Sequence, residues 1–325
     1  MQEDVQVPWG TPVLGRQTRA FLESCPWPVS SHAGSAASRA RMAAYWNGGG
    51  REEPDVEEEW LALPGSGGNR IRVRIVRPAG ACEPLPVVLY LHGFGWMLTD
   101  AHAHRRLVVD LVLGADAAVV IPEHDVPRHA RHPEAVERAY AIAQWIARHG
   151  AGRGLDGTRI AVAGASAGAQ YAAALTLVAR KRRGPRFRHQ ALVCPVTDAA
   201  MDTPSYRRFA EGYFLSRAAM RDYWQQYAPD PRDRAQDTVS PLRAPTRCLV
   251  GLPPTLLITA EADVLRDEGE AYAARLRQAD VPVVSIRYHG TIHGFVLFDL
   301  LRGTEASRAA RIQLTDTLHT ALHAV

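Results

Sequence analysis

Apolar and polar residues alternate strictly in one early segment of the chain. Within residues 56–76, Ile71, Val73 and Ile75 are separated by arginines, and a turn is expected between Gly65 and Asn69. A period of two is typical of a strand with one buried face. The pattern therefore predicts an antiparallel hairpin over residues 56–76.

Apolar residues follow one another without alternation in five later segments. These segments are residues 87–91, 118–121, 160–163, 191–193 and 255–258. Such runs suit strands that are covered on both faces, as in a parallel sheet. Helical patterns lie between them, for example at residues 133–148 and 268–279. This alternation predicts an α/β fold with a mostly parallel central sheet flanked by helices.

Two regions do not follow the alternation of strands and helices. One is residues 1–50, and the other is residues 198–247, which are rich in Tyr, Phe and Trp. We expect both to form a mainly helical cap over the carboxyl edge of the sheet. The core would then comprise residues 51–197 and 248–325. The sequence leaves open whether individual aromatic residues of the insertion contact a substrate or only pack.

Composition narrows the class of protein. Of the 325 residues, 46% are hydrophobic, which excludes a disordered tail, a disulfide-stapled miniprotein and a collagen-like fibre. The four cysteines form no CxxC pair and no zinc-binding spacing, so we expect reduced thiols. Acidic residues stand where a secretory signal would have basic ones. We therefore expect no export and a cytoplasmic location.

Charge gives little indication of a partner. The formal net charge is +4, and the one dense basic run is residues 180–183 with Arg186 and Arg188. No aromatic platform accompanies this run, so a solvated helix end is favoured over a nucleic-acid patch. Residues 161–179 contain no charged residue, but their glycines and polar residues favour a buried strand and helix over a membrane span.

A candidate nucleophile follows the apolar run at 160–163. Gly164, Ser166 and Gly168 form a GxSxG pattern before a helix that is expected to begin near Ala169. A serine at a sharp strand-to-helix turn needs small neighbours, because its backbone is strained and the two elements approach closely. The helix N-terminus also directs amides at negative charge forming there. These features favour Ser166 as a catalytic nucleophile.

A glycine-rich loop follows the apolar run at 87–91. Its residues are His92, Gly93, Phe94, Gly95 and Trp96. Attack of a serine on an acyl carbon forms an oxyanion, which needs preorganised amide donors. The candidate donors of this oxyanion hole are the amides of Gly93, Phe94, Gly95 and Ala167. Without Ser166, an ordinary glycine-containing turn would be the favoured interpretation.

Two further residues complete a candidate catalytic triad. Asp263 lies just beyond the apolar run at 255–258, and His293 follows a strand expected at 283–288. The order Ser166, Asp263, His293 is that of an α/β-hydrolase triad. In such a triad the histidine carries the serine proton and the aspartate orients the imidazole. Asp267 is a competing acid, but its position suits the first turn of the next helix better.

The motifs together resemble the hormone-sensitive-lipase group of α/β-hydrolase carboxylesterases. The resemblance covers about residues 55–300 and includes residues 92–96, 164–168, 240–242, 253–268 and 288–295. The family implies an α/β-hydrolase fold and an ester-cleaving serine enzyme that needs no metal or organic cofactor. It implies a small-molecule ester substrate and is compatible with a homodimer formed through edge strands. The candidate substrate-binding residues are Phe94, Trp96, Tyr213 and Phe214.

Three features depart from this family. Phe94 replaces the middle glycine of the family's loop, and a bulky side chain does not readily take a positive φ. Ala165 stands where the family usually has Asp before the nucleophile. Residues 124–133 keep little of the corresponding family stretch. The resemblance therefore speaks for the triad more than for a particular substrate.

The sequence does not favour a cofactor site. The histidines outside the triad match no familiar metal-binding spacing; those considered are His102, His104, His124, His129 and His132. Ser166 occupies the place of the middle glycine in a dinucleotide-binding motif, and the sequence contains no phosphate-binding P-loop motif.

Three functions are consistent with these residues. The favoured one is a serine carboxylesterase for small or medium acyl esters, acting through a Ser-His-Asp triad and an acyl-enzyme. The second is an acyltransferase, deacetylase or lactone-forming enzyme of specialised metabolism, suggested by Phe94 and the altered segment 124–133. The third is a non-catalytic ligand-binding protein on a hydrolase scaffold, which is disfavoured because all three triad residues are present.

Overall fold

A central sheet organises the chain. The computed structural model describes residues 11–25, 55–65, 70–93, 95–96, 104–123 and 131–324, and within these ranges the sheet has eight strands. The strands are β1 Val56–Pro64, β2 Arg70–Pro78, β3 Leu85–Leu91, β4 Ala118–Pro122, β5 Leu155–Ala165, β6 His189–Val193, β7 Thr255–Ala262 and β8 Val283–Ile292. They lie in the order β1-β2-β4-β3-β5-β6-β7-β8, and β2 alone among these eight runs against the others.

Helices connect and flank these strands. The α-helices are α1 Arg16–Ser24, α2 Arg105–Ala115, α3 Glu134–His149, α4 Ala167–Lys181, α5 Pro204–Arg208, α6 Arg217–Tyr227, α7 Pro231–Arg234, α8 Thr246–Leu249, α9 Arg266–Gln278 and α10 Glu305–His323. Helix α2 packs against α10, and α3 packs against α4, while α4 and α10 also contact the central strands. The predicted class, an α/β fold with a mostly parallel sheet flanked by helices, is confirmed.

The central strands are buried on both faces. Val88, Leu89 and Val162 have no exposed surface, although successive residues of a strand point to opposite faces of the sheet. Helices therefore cover both faces, which explains why these segments read as continuous apolar runs.

The predicted hairpin is present, with one departure from its expected polar face. Strands β1 and β2 pair antiparallel, from Val56 opposite Pro78 to Pro64 opposite Arg70. Arg74 belongs to the polar set of the alternation, yet its side chain is only 1% exposed. Its guanidinium lies 3.5 Å from a Glu58 carboxylate oxygen. This ion pair offsets the desolvation of the arginine.

The parallel strands bring distant parts of the sequence to one edge of the sheet. The carboxyl ends of parallel strands meet at the same edge, where ligands of α/β proteins bind. Ser166 follows the end of β5, Asp263 follows β7 and His293 follows β8. Ala262 pairs with Ile292 at the ends of β7 and β8. The residues after these strands therefore start from neighbouring positions.

Helices α5, α6 and α7 lie in the segment between β6 and β7. Many aromatic residues of this segment are buried, with Tyr206, Phe209, Trp224 and Tyr227 at most 1% exposed. Packing is therefore a principal role of these aromatic side chains. Of residues 1–50, the structure describes only 11–25, which contain α1.

None of the helices in the described ranges is long and apolar enough to cross a membrane.

The burial of the central strands predicts a difference in stability between two equivalent substitutions. Leu192→Ala on β6 removes a side chain with no exposed surface and should lower the free energy of unfolding by about 2–5 kcal/mol. The control Leu113→Ala on α2 changes a side chain that is 45% exposed and should alter it by less than about 0.5 kcal/mol. Urea denaturation followed by circular dichroism measures both. Equal losses would show that β6 is not part of the core.

Candidate active site

Ser166 lies on the turn that joins β5 to α4. Its backbone has φ 56° and ψ −123°, a combination that residues with a Cβ seldom adopt. The Ser166 amide donates a hydrogen bond to the Val193 carbonyl at 2.8 Å, so the end of β6 holds the turn. Helix α4 begins at the next residue, Ala167, and places the partial positive charge of its N-terminus beside the serine.

Two glycines make this turn sterically feasible. A Cβ on Gly164 would lie 2.3 Å from the carbonyl oxygen of Gly168. A Cβ on Gly168 would lie 1.8 Å from the carbonyl oxygen of Leu91, at the end of β3. Both distances are shorter than any non-bonded contact allows. The GxSxG pattern is therefore required by the close approach of β3, β5 and α4.

The structure brings Ser166, Asp263 and His293 together. The Ser166 Oγ lies 3.0 Å from His293 Nε2, and His293 Nδ1 lies 2.8 Å from Asp263 Oδ2. The other Asp263 oxygen, Oδ1, accepts a hydrogen bond from the Leu265 amide at 3.0 Å. Asp263 is 1% exposed, whereas Ser166 and His293 are 8% and 6% exposed. The arrangement can move a proton from the serine to an imidazole that a buried carboxylate orients.

The competing acid, Asp267, has different partners. Its carboxylate accepts a hydrogen bond from the Ser205 amide at 2.7 Å and pairs with the Arg266 guanidinium. It lies in the first turn of α9, as its position in the sequence suggests. Of the two acids, Asp263 is therefore the one placed against His293.

The glycine-rich loop lies against the start of α4. A Cβ on Gly93 would lie 2.0 Å from the amide nitrogen of Gly168, so this part of the loop touches the turn that carries Ser166. His92 Nε2 lies 3.2 Å from the Pro122 carbonyl oxygen, which anchors the loop to the end of β4. Ala167 is the first residue of α4, where amides lack partners within the helix.

The other two candidate residues of the oxyanion hole are Gly95 and Phe94. Gly95 has φ +54°, and a Cβ on it would lie 2.6 Å from the Tyr223 ring. Phe94 lies outside the described residues. The effect of its side chain on the loop therefore stays a prediction.

A small, mainly apolar cavity adjoins Ser166. Its lining residues in the described part of the chain are Gly95, Trp96, Ser166, Ala167, Val196, Phe214, Leu215, Met220, Tyr223 and His293. The cavity has a volume of about 20 Å³, which admits about one water-sized group. Apolar walls around a few polar groups are typical of small-molecule sites.

The candidate substrate-binding residues differ in their relation to this cavity. Trp96 and Phe214 line it. Trp96 is held in place because its ring stacks on Tyr227 with centroids 4.4 Å apart, and its Nε1 donates to Gln170 Oε1 at 3.3 Å. The Tyr213 ring packs against Phe209 at 5.1 Å and is not among the described lining residues.

Several lining residues were not singled out by the sequence as substrate contacts. Val196, Leu215 and Met220 have ordinary apolar side chains in loops and helices, and nothing in the local pattern separates them from core residues. Tyr223 belongs to the aromatic residues of the segment 198–247. Its ring is buried, lies against Gly95 and lines the cavity.

The histidines outside the triad have varied placements. His104 is buried with Nδ1 2.8 Å from the Tyr90 hydroxyl, and burial together with the charge of His92 lowers its pKa to about 3. His104 is therefore neutral at physiological pH. His132 Nε2 lies 3.3 Å from Gln236 Oε1. His102, His124 and His129 lie outside the described residues.

The basic run lies at the opposite end of α4 from Ser166. It occupies the end of α4 and the loop that follows, and the Arg182 guanidinium makes two hydrogen bonds to the Glu137 carboxylate. Cations at a helix C-terminus interact favourably with the helix dipole. The groove beside this run has a volume of about 670 Å³, but it contains none of Ser166, Asp263 and His293.

Known proteins are similar to this chain in sequence. A family model described as the alpha/beta hydrolase fold matches residues 88–297. The carboxylesterase NlhH of Mycobacterium tuberculosis is 33% identical over 90% of this chain and 92% of its own length. An ethyl acetate hydrolase of Pseudomonas putida is 33% identical over 76% of this chain and 78% of its own.

Solved structures agree with these relatives. A thermostable esterase from Pseudomonas putida superimposes with a TM-score of 0.91 at 39% identity, covering 97% of this chain and 100% of that one. A bacterial heroin esterase superimposes with a TM-score of 0.88 at 29% identity, covering 96% and 99%. The chain therefore belongs to the carboxylesterase group of the α/β-hydrolase family and is a carboxylic ester hydrolase.

Proposed function

We propose that this protein is a serine carboxylesterase in which Ser166 is the nucleophile, His293 the general base and Asp263 the residue that orients the base. The main support is the pair of contacts at 3.0 Å and 2.8 Å that link the Ser166 hydroxyl to the imidazole and the imidazole to the carboxylate. A weakly acidic hydroxyl needs such a base to become a nucleophile at neutral pH.

Ester cleavage would proceed in two halves. The Ser166 Oγ bonds to the ester carbonyl carbon while His293 Nε2 takes the hydroxyl proton. Collapse of the tetrahedral intermediate breaks the bond to the alcohol, which leaves with the proton from His293. A water molecule, deprotonated by His293, then attacks the acyl-enzyme, and the acid leaves as Ser166 recovers its proton.

Charge that develops on the substrate needs donors in the loop and at the helix. We assign this role to the amides of Ala167, Gly93, Phe94 and Gly95. Support comes from the position of Ala167 at the N-terminus of α4 and from the contact of Gly93 with the same turn. The positive charge forming on His293 would be stabilised by Asp263, whose burial strengthens the interaction.

The substrate proposed is an ester with a small or medium acyl group, with the short end of this range favoured. A cavity that admits about one water-sized group suits the methyl of an acetyl ester. One relative is named ethyl acetate hydrolase, and ethyl acetate is an ester with a short acyl chain. No step of the mechanism requires a metal or an organic cofactor.

Three wider assignments are part of the same proposal. Residues 1–50 and 198–247 form a cap, supported by Phe214 of the second segment on the cavity wall and by Phe21 of α1, whose ring lies 5.8 Å from that of Phe214. A homodimer through β8 is supported by its edge position and by Val284, which is 53% exposed. A cytoplasmic location is supported by cysteines that form no disulfide.

Replacing the nucleophile should abolish ester hydrolysis. Ser166→Ala removes the attacking oxygen, and kcat on p-nitrophenyl acetate should fall about 10⁴-fold or more. The control Ser285→Ala, on an exposed position of β8, should retain wild-type kcat. Release of p-nitrophenol measures both. Retention of full activity by Ser166→Ala would refute the nucleophile.

Enlarging the cavity should change the preference for acyl chain length. Phe214→Ala removes an aromatic wall, so the ratio of kcat/KM for p-nitrophenyl hexanoate to that for the acetate should rise about tenfold or more. Phe187→Ala, at a half-buried phenylalanine outside the cavity, is the matched control and should leave the ratio unchanged. An unchanged ratio in Phe214→Ala would exclude this wall from the acyl site.

A further inference from the structure

Cys194 occupies a strained position directly after β6. Its backbone has φ +45°, which is uncommon for a residue with a Cβ. The Cys194 amide donates to the Ile258 carbonyl on β7 at 2.7 Å, and this bond helps to hold the conformation. The side chain is 2% exposed and forms no disulfide.

The short loop around Cys194 touches all three residues of the proposed triad. Before it, the Val193 carbonyl accepts the hydrogen bond from the Ser166 amide at 2.8 Å. After it, the Val196 amide lies 3.5 Å from the Ser166 carbonyl oxygen. Cys194 Sγ, a carboxylate oxygen of Asp263 and a ring nitrogen of His293 all lie within 4.8 Å of one another. The thiol therefore lies against the acid–base pair on its buried side.

The thiol next to this pair is neutral. Burial raises the pKa of Cys194 well above its usual value, and the negative charge of Asp263 raises it further. A neutral thiol is a weak hydrogen-bond donor and a compact apolar group, not a second nucleophile. Cys194 can therefore act on the Asp263 carboxylate only by packing and by the dipole of its S–H bond.

We infer that Cys194 is a positioning residue of the esterase, which fixes the Asp263 carboxylate against His293 from the buried side of the site. This inference rests on the proposed roles of Ser166, Asp263 and His293. Asp263 already has one oxygen on His293 and the other on the Leu265 amide. The sulfur occupies space into which the carboxylate could otherwise rotate, and its dipole adds to the field at the imidazole.

Other titratable groups lie near the same pair. Glu268 on α9 is fully buried and accepts hydrogen bonds from the Thr197 and Asp198 amides at 2.6 and 3.2 Å. Burial raises its pKa well above the usual value, with smaller contributions from the charges of Asp198 and Asp263. Burial likewise raises the pKa of Tyr206. Substitution of Cys194 leaves all these groups in place, so changes in a pH profile report on the Asp263–His293 pair.

Two substitutions test this inference on p-nitrophenyl acetate. Cys194→Ala removes the sulfur and its dipole, so kcat should fall about tenfold while KM stays within about twofold, because a small misplacement of a catalytic group affects the reaction more than binding. Removal of the S–H dipole leaves the Asp263 carboxylate with more effective negative charge, which stabilises the protonated form of the imidazole even when the carboxylate is less well positioned. The acidic limb of the kcat profile should therefore move to higher pH.

Cys194→Ser keeps a donor at the same position. It should recover most of the lost kcat, with its acidic limb at or below that of the wild type. Cys248→Ala, the same change at a half-buried cysteine in α8, should match the wild type in kcat and pH profile. Thermal unfolding of each variant identifies a change that only weakens the fold.

The outcomes separate this inference from the proposed function. Wild-type kcat and pH profile in Cys194→Ala would overturn the positioning role. A loss of kcat with an unmoved acidic limb and no recovery by Cys194→Ser would show a structural role only and would overturn it equally. If Ser166→Ala retained the activity of the wild type, the proposed triad would fail, and the inference would fail with it. If Cys194→Ala does not fold, the pH profile of Cys194→Ser tests the inference alone. An acidic limb at a higher pH than that of the wild type would contradict it.

Discussion

The backbone conformation of Ser166 is the constraint on which the rest of the site depends. A conformation of this kind is disfavoured by about 1–3 kcal/mol, so neighbouring contacts must hold it. The Ser166 amide is bound to Val193 on β6, and its carbonyl accepts hydrogen bonds from Ala169 and Gln170 in the first turn of α4. Both neighbours are thus fixed elements of the core. The sheet and the helix together orient the Ser166 hydroxyl towards His293, which follows β8 at the same edge of the sheet.

Burial determines how the other two residues of the site can act. Asp263 is almost completely enclosed, so its charge is screened little by water and acts strongly on His293, 2.8 Å away. A buried carboxylate would be unstable without partners, and the Leu265 amide and the imidazole provide them. The same enclosure keeps the Cys194 thiol neutral. The fold therefore places a buried carboxylate and an imidazole beside Ser166, which lines a mainly apolar cavity.

Sequence periodicity predicts the fold class well because burial on two faces and burial on one face leave different patterns. The runs at 87–91 and 255–258 belong to strands β3 and β7, and the alternating segment is the hairpin β1–β2. Arg74 departs from the pattern, since its burial depends on Glu58 in the neighbouring strand. Such a pair is created by the register of the two strands, which the alternation alone does not specify.

The residues of the site can be predicted only where the local geometry requires a particular residue type or position in the sequence. The turn at Ser166 requires Gly164 and Gly168, and the ends of two strands identify Asp263 and His293. The residues of the cavity wall cannot be predicted in this way, because Val196 and Met220 line the cavity only through the packing of separate elements. The position of Cys194 beside Asp263 likewise follows from the pairing of β6 with β7, not from any motif.

The most direct test of the central claim is to trap the acyl group on the protein. The enzyme would be mixed with p-nitrophenyl acetate, quenched in acid during turnover, digested and mapped by mass spectrometry. The proposed chemistry predicts one acetyl group on the peptide that contains Ser166, and none on the same peptide from Ser166→Ala. Turnover without any acetylated peptide, or acetylation confined to another residue, would contradict it.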